Sequence, residues 1–129
     1  MIIFGLGSDV VNTKRFKKIL KNNHKFKSRI FTRNEIKFCD KKKENHLCYA
    51  KRFAAKEAFS KALGTGFSSN LNFKDIEITN DKKGMPKYVD NKKIIKIVQK
   101  KYKIKKFNSF LSISDEKDYS TAFAIIQSI

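Results

Sequence analysis

Three side chains stand where they could share a reaction: Asp9, after the apolar opening Ile2-Ile3-Phe4-Gly5-Leu6-Gly7, and the Glu57/Lys61 pair in an alanine-rich segment. Projection at about 100° per residue puts Ala50, Phe53, Ala54, Glu57, Ala58 and Lys61 on one stripe of a helix, with Glu57 and Lys61 near its middle. Two separated carboxylates, one on a strand and one on a helix, are what an octahedral Mg²⁺ shared with phosphate oxygens needs. The small alanines beside them read as room for something to approach closely. Two plainer readings stay open. Glu57 and Lys61 also fit an exposed i,i+4 pair that contributes about 0.2–0.5 kcal/mol to a helix, and Asp9 also fits a cap for a helix beginning near Thr13.

Elements must hold these groups. Residues 2–7 read as a buried strand that delivers Ser8-Asp9 at its end. Thr13 can cap a helix with Phe16, Ile19 and Leu20 on one face and Lys14, Arg15, Lys17, Lys18 and Lys21 on the other. After a basic connector, Thr32-Arg33-Asn34-Glu35 is a capping box that opens a helix with Ile36 and Cys39 inward. Asn45 can cap the main helix, which runs to Leu63 and stops at Gly64-Thr65-Gly66. Ile76-Glu77-Ile78 and Lys87-Tyr88-Val89 alternate as a hairpin around the turn at 81–86, and Asp90 opens a helix bearing Ile94, Ile95, Val98 and Tyr102. Residues 107–114 and 119–128 read as two strands joined by Asp115-Glu116-Lys117-Asp118. Strands at both ends with helices between predict an α+β domain spanning 1–129, with one long central helix.

The 129 residues and 15.0 kDa leave no room for a second core. No apolar run approaches the roughly 20 residues that span a bilayer, and the first residues lack the features of a signal peptide, so a cytosolic protein without membrane contact is expected. Cys39 and Cys48 offer neither a disulfide framework nor a zinc site of ordinary spacing and are expected to be thiols. Lysine and arginine number 30 against 12 acidic residues, a net charge of +18, which calls for an acidic partner unless it reflects nucleotide-composition bias in the gene. A basic nucleic-acid-binding module is one reading of that charge. Only Arg15, Arg29, Arg33 and Arg52 are arginines, however, where nucleic-acid readers tend to favour arginine, and the aromatic residues do not form an aromatic-basic nucleic-acid motif with them.

Gly5-Leu6-Gly7-Ser8-Asp9-Val10-Val11, Phe53-Ala54-Ala55-Lys56-Glu57-Ala58 with Lys61-Ala62-Leu63-Gly64-Thr65-Gly66, and Leu111-Ser112-Ile113-Ser114 together resemble the ordered signatures of holo-acyl-carrier-protein synthases. The resemblance covers nearly the whole chain. It implies a 4′-phosphopantetheinyl transferase fold, an antiparallel sheet with helices packed on it. The implied reaction is Mg²⁺-dependent transfer of 4′-phosphopantetheine from coenzyme A to a serine of apo acyl carrier protein, with release of adenosine 3′,5′-bisphosphate. By resemblance Asp9 and Glu57 bind the metal and Lys61 sits beside the pyrophosphate; Glu57, or a metal-bound water it orients, is then placed to take the serine proton. Arg52 and Lys56 reach nucleotide phosphates, while Gly64, Thr65, Gly66, Gly84, Pro86 and Ser114 line the coenzyme A site. The resemblance further implies a homotrimer with sites between subunits, and docking of the acidic carrier protein on Arg15, Lys18, Lys21, Phe26 and Arg29. The chain departs from the family pattern twice. Met85 replaces the lysine of Gly-Lys-Pro, where Lys82, Lys83 or Lys87 can substitute, and Asp115 replaces the histidine of Ser-His. Asp115 is expected to turn away and cap its own turn or pair with Lys117; the alternative is that it faces the phosphates and weakens coenzyme A binding, leaving a catalytically impaired coenzyme A or carrier-protein binder.

Overall fold

Gly5 and Gly7 let a strand cross a helix at a separation that no other residue permits. A methyl group at Gly7 would stand 1.9 Å from the carbonyl oxygen of Ala58, and one at Gly5 would stand 2.0 Å from that of Ala62. The strand is β1 (Ile3–Asn12) and the helix is α4 (Asn45–Leu63). The computed structural model describes residues 1–67 and 70–129. The alanines of the central helix thus make room for the backbone of β1, a neighbour within the fold, where the spacing alone suggested an approaching ligand.

Between these two elements lie α1 (Thr13–Asn22), the short α2 (Phe26–Ile30) and α3 (Arg33–Asp40). A small antiparallel hairpin, β2 (Ile78–Asn80) and β3 (Pro86–Tyr88), precedes α5 (Lys92–Tyr102), and β4 (Phe107–Asp115) and β5 (Tyr119–Ser128) close the chain. The main sheet is antiparallel in the order β1-β5-β4. Its inner rows, such as Gly7–Ala124–Leu111 and Asp9–Ala122–Ile113, face α4, while the outer rows Leu6–Ile125–Phe110 and Ser8–Phe123–Ser112 lie on the opposite face. Leu6, Val10, Phe110 and Phe123 are each more than two-fifths exposed there.

Several local expectations shift by a residue or more. Asp9 lies inside β1 rather than at a strand end, and Asn12 caps α1 by accepting from the Arg15 amide at 3.0 Å, so Asp9 has no capping duty. Asn91, rather than Asp90, caps α5. The Thr32/Glu35 capping box forms, and Gly64 ends α4 in the left-handed region at φ 75°. Cys39 and Cys48 are joined in a disulfide, not left as thiols. Two cysteines make no framework, but the last turn of α3 and the first of α4 pack against each other and bring the two Cα atoms to 5.5 Å.

Behind α4 a buried ion pair ties helix to hairpin. Lys56 is fully buried and donates to Glu35 Oε1 at 2.7 Å and to the carbonyls of Ile76 and Phe73 at 2.5 and 3.0 Å. Glu35 in turn accepts from the amides of Thr32 at 2.9 Å and Ile78 at 3.0 Å. Every hydrogen-bonding direction of the ammonium is thereby filled within the protein. Burial pushes the Lys56 ammonium below its ordinary pKa, and Glu35 opposes the shift. Lys56 therefore does not reach nucleotide phosphates; it fastens the stretch leading into β2 to α4.

Candidate active site

The seam between β1 and α4 gathers Asp9, Glu57 and Lys61. Two residues after Gly7, Asp9 turns its side chain to the α4 side of the sheet, and one residue before Ala58, Glu57 meets it from the helix. Lys61, one turn further on, donates to Asp9 Oδ1 at 3.1 Å and to the Ser8 carbonyl at 3.0 Å. Burial pushes the Asp9 carboxyl above its ordinary range against the pull of Lys61. Burial also raises Glu57, and the neighbouring Asp9 charge raises it further while Lys61 opposes. Two carboxylates are thus held together partly out of water, at a cost that a cation would offset.

The surroundings of this pair suit Mg²⁺. Among the described residues no cluster of three His, Cys, Asp or Glu side chains forms, so most ligands would be water and substrate oxygens, the arrangement this hard cation favours. Two clefts give such ligands room. One, of about 370 Å³, lies between α1 and α4 and is lined by Asp9, Glu57, Arg15, Phe16 and Phe53. The other, of about 340 Å³, opens on the outer face of the sheet beside Asp9, Lys61, Ser112, Ser114 and Phe123.

A larger cleft of about 620 Å³ lies toward the N-terminal half of α4 and contains Arg52, Gly84 and Pro86 with Lys42, Lys51, Lys82 and Asp115. Arg52 is 4% exposed, stacks over the Phe38 ring at 4.3 Å and donates from Nη2 to Asn80 Oδ1 at 2.8 Å, while its buried Nε has no partner. Lys82, not Lys83 or Lys87, lines this cleft near Met85. Lys51 was missed by sequence reasoning; it is adjacent to Arg52 and lies 3.8 Å from Asp115. The sequence places Asp115 in a turn, but β4 continues one residue further and pairs it with Ser120, which sends its side chain to the helix side with Ile113. The expected pairing with Lys117 does not form.

Gly64, Thr65 and Gly66 are not brought to that cleft. They lie beyond the C-terminal end of α4, where a methyl group added at Gly64 would stand 3.1 Å from Lys101 Nζ. Twelve residues of helix separate Arg52 from Gly64, roughly 18 Å. Of the expected docking residues, Lys18, Lys21 and Arg29 are exposed, and Arg15 is exposed and borders the carboxylate cleft. Phe26 is half-buried, with its ring 5.7 Å from that of Phe16 and 6.0 Å from that of Phe53, so it mainly braces the corner between α1 and α2.

A family model described as the 4′-phosphopantetheinyl transferase superfamily matches residues 5–124. The holo-[acyl-carrier-protein] synthase of Pelagibacter ubique is 55% identical over 127 residues, 98% of each chain. That of Wolbachia pipientis is 43% identical over 97% of this chain and 98% of its own. Among solved structures, the synthase of Neisseria meningitidis superposes with a TM-score of 0.85 at 34% identity, covering 98% of this chain and 100% of that one. The synthase of Bacillus anthracis, solved in complex with CoA (3′,5′-ADP), gives 0.82 at 34% identity over the full length of both.

Proposed function

The chain belongs to the 4′-phosphopantetheinyl transferase superfamily, among the holo-[acyl-carrier-protein] synthases, and on that premise we propose that Asp9, Glu57 and Lys61 carry out Mg²⁺-dependent transfer of phosphopantetheine from coenzyme A to apo acyl carrier protein. The observation that supports this most is the convergence of two half-buried carboxylates and one lysine at the β1–α4 seam. In the reaction a carrier serine oxygen bonds to the phosphorus next to pantetheine, the bond from that phosphorus to the bridging oxygen breaks, and adenosine 3′,5′-bisphosphate leaves. Mg²⁺ held by Asp9 and Glu57 would supply charge neutralisation at the pyrophosphate. Glu57, or a metal-bound water that it orients, would accept the serine proton. Lys61 turns its ammonium from Asp9 toward the charge that builds on the leaving oxygens. Arg52, Gly84, Pro86 and Lys82 hold the nucleotide end.

Lys61→Ala is expected to lower turnover by about 10²–10³, the scale for loss of one preorganised charge stabiliser. A rise in the Michaelis constant for coenzyme A with turnover intact would make Lys61 a binding group only.

The basic face of α1 serves as the carrier dock in this reading, because Arg15 leads directly from it into the carboxylate cleft. Exchanging Arg15 and Lys21 for glutamate should raise the Michaelis constant for the acidic carrier and leave that for coenzyme A nearly unchanged. Added salt should weaken the wild-type reaction as charges are screened beyond about 8–10 Å; salt-independent kinetics would exclude this dock.

A homotrimer belongs to the same reading. The apolar outer face of the sheet needs a cover, and Gly64, Thr65 and Gly66 can complete a coenzyme A site begun at Gly84 and Pro86 only if they come from a neighbouring copy. Cytoplasmic action and a place in fatty acid biosynthesis are inferred from the carrier substrate. Mass spectrometry of apo acyl carrier protein incubated with the chain, coenzyme A and Mg²⁺ tests the whole: a gain of one phosphopantetheine is expected. No gain across several carriers would leave a coenzyme A or carrier binder as the better reading.

A further inference from the structure

We propose that Asp115 acts as an internal counter-ion in the 620 Å³ cleft, holding Lys51 until a phosphate of the nucleotide displaces it, so that this pair sets the affinity of the cleft and its discrimination by phosphate number. The inference rests on the reading of that cleft as the nucleotide site.

Lys51 stands on α4 and Asp115 at the end of β4, and both line the cleft. The separation of 3.8 Å is too long for a hydrogen bond, and both side chains remain partly open to water, at 37% and 43% exposure. Such a pair is held weakly and is displaceable. The other aspartate in the cleft is committed elsewhere: Asp81 accepts from the amides of Lys83 and Met85, both at 2.9 Å, and so builds the hairpin turn. Asp115 has no such duty, and Lys51 is its sole ion-pair partner among the described residues.

The cleft already asks for an anion. Arg52 is buried with an unpartnered Nε, and Lys42 and Lys82 border the same space, with Glu44 the one carboxylate there besides Asp81 and Asp115. Lys51 would add a further cation if Asp115 did not occupy it. A phosphate entering this space must therefore take Lys51 from Asp115. An uncharged ligand has no reason to do so.

Calorimetric titration with adenosine 3′,5′-bisphosphate, adenosine 5′-monophosphate and adenosine tests this in wild type, Asp115→Asn, Lys51→Met and the double variant. Asp115→Asn is expected to tighten bisphosphate binding about tenfold, the monophosphate less and adenosine not at all. In the Lys51→Met background the same change should gain less than about threefold, since no cation remains to be released. An equal gain with and without Lys51 would reduce Asp115 to simple repulsion and overturn the counter-ion. So would an equal gain for adenosine, or no gain at all, while the functional reading stands. Failure of wild type to bind either the bisphosphate or coenzyme A would instead overturn the functional reading and the inference with it.

Discussion

Glu57→Ala and Asp9→Ala are each expected to abolish transfer, a loss of more than about 10³-fold, because each removes one of two protein carboxylates that hold the metal. Excess Mg²⁺ should restore little. The fold should survive, and the reason lies in the direction of the pKa shifts. Both carboxyls are raised, chiefly by burial, so the folded chain holds their protons more tightly than the unfolded chain does. Stability therefore falls as pH rises from the ordinary carboxylate range through the raised values, and at neutral pH the ionised pair works against folding. Glu57→Gln removes part of that opposition, so without Mg²⁺ it should melt no lower than wild type. Added Mg²⁺ should raise the melting temperature of wild type and not of Glu57→Gln. Near-normal turnover of either alanine variant at ordinary Mg²⁺ would show that the metal is held elsewhere.

Lys56→Met should act in the opposite manner, on stability first. It leaves Glu35 buried without its ion-pair partner, and breaking such a pair from one side costs about 3–5 kcal/mol. The carbonyls of Ile76 and Phe73 lose their donor as well. Urea unfolding measures the loss directly. Coenzyme A affinity, taken on whatever fraction remains folded, should change little beyond what loosening of the β2–β3 hairpin causes. A stable variant with a large rise in the Michaelis constant for coenzyme A would restore Lys56 as a phosphate ligand.

Much of the frame was readable because local signals agreed with the final packing. The capping box at Thr32, the glycine stop at Gly64 and the alternation of the last two strands all depend on neighbours within a few residues, and all formed within a residue of their expected bounds. The carboxylate pair was reachable from motif order. The errors share a different cause. Whether Lys56 points to a ligand or into the core is decided by Glu35 and by carbonyls 17 and 20 residues away, which no helical projection contains. Asp115 differs because the ladder runs one pair further than the turn residues suggest, and strand alternation then fixes the side of a residue that a turn would leave free. The bridge between Cys39 and Cys48 depends on the packing of two helices, not on their count in the sequence.

The contact of Gly5 and Gly7 with Ala58 and Ala62 has a bearing on how such a chain can diverge. Where side chains separate two elements, a larger residue on one can be met by a smaller one on the other, and sequences drift through compensating exchanges. Here the strand meets carbonyl oxygens of the helix, and a main-chain atom cannot be trimmed by mutation. Enlarging either glycine must lever β1 away from α4 and carry Asp9 away from Glu57. Lineages that keep the reaction are therefore barred from the ordinary route of reciprocal size change at this seam, however freely their lysine-covered surfaces vary.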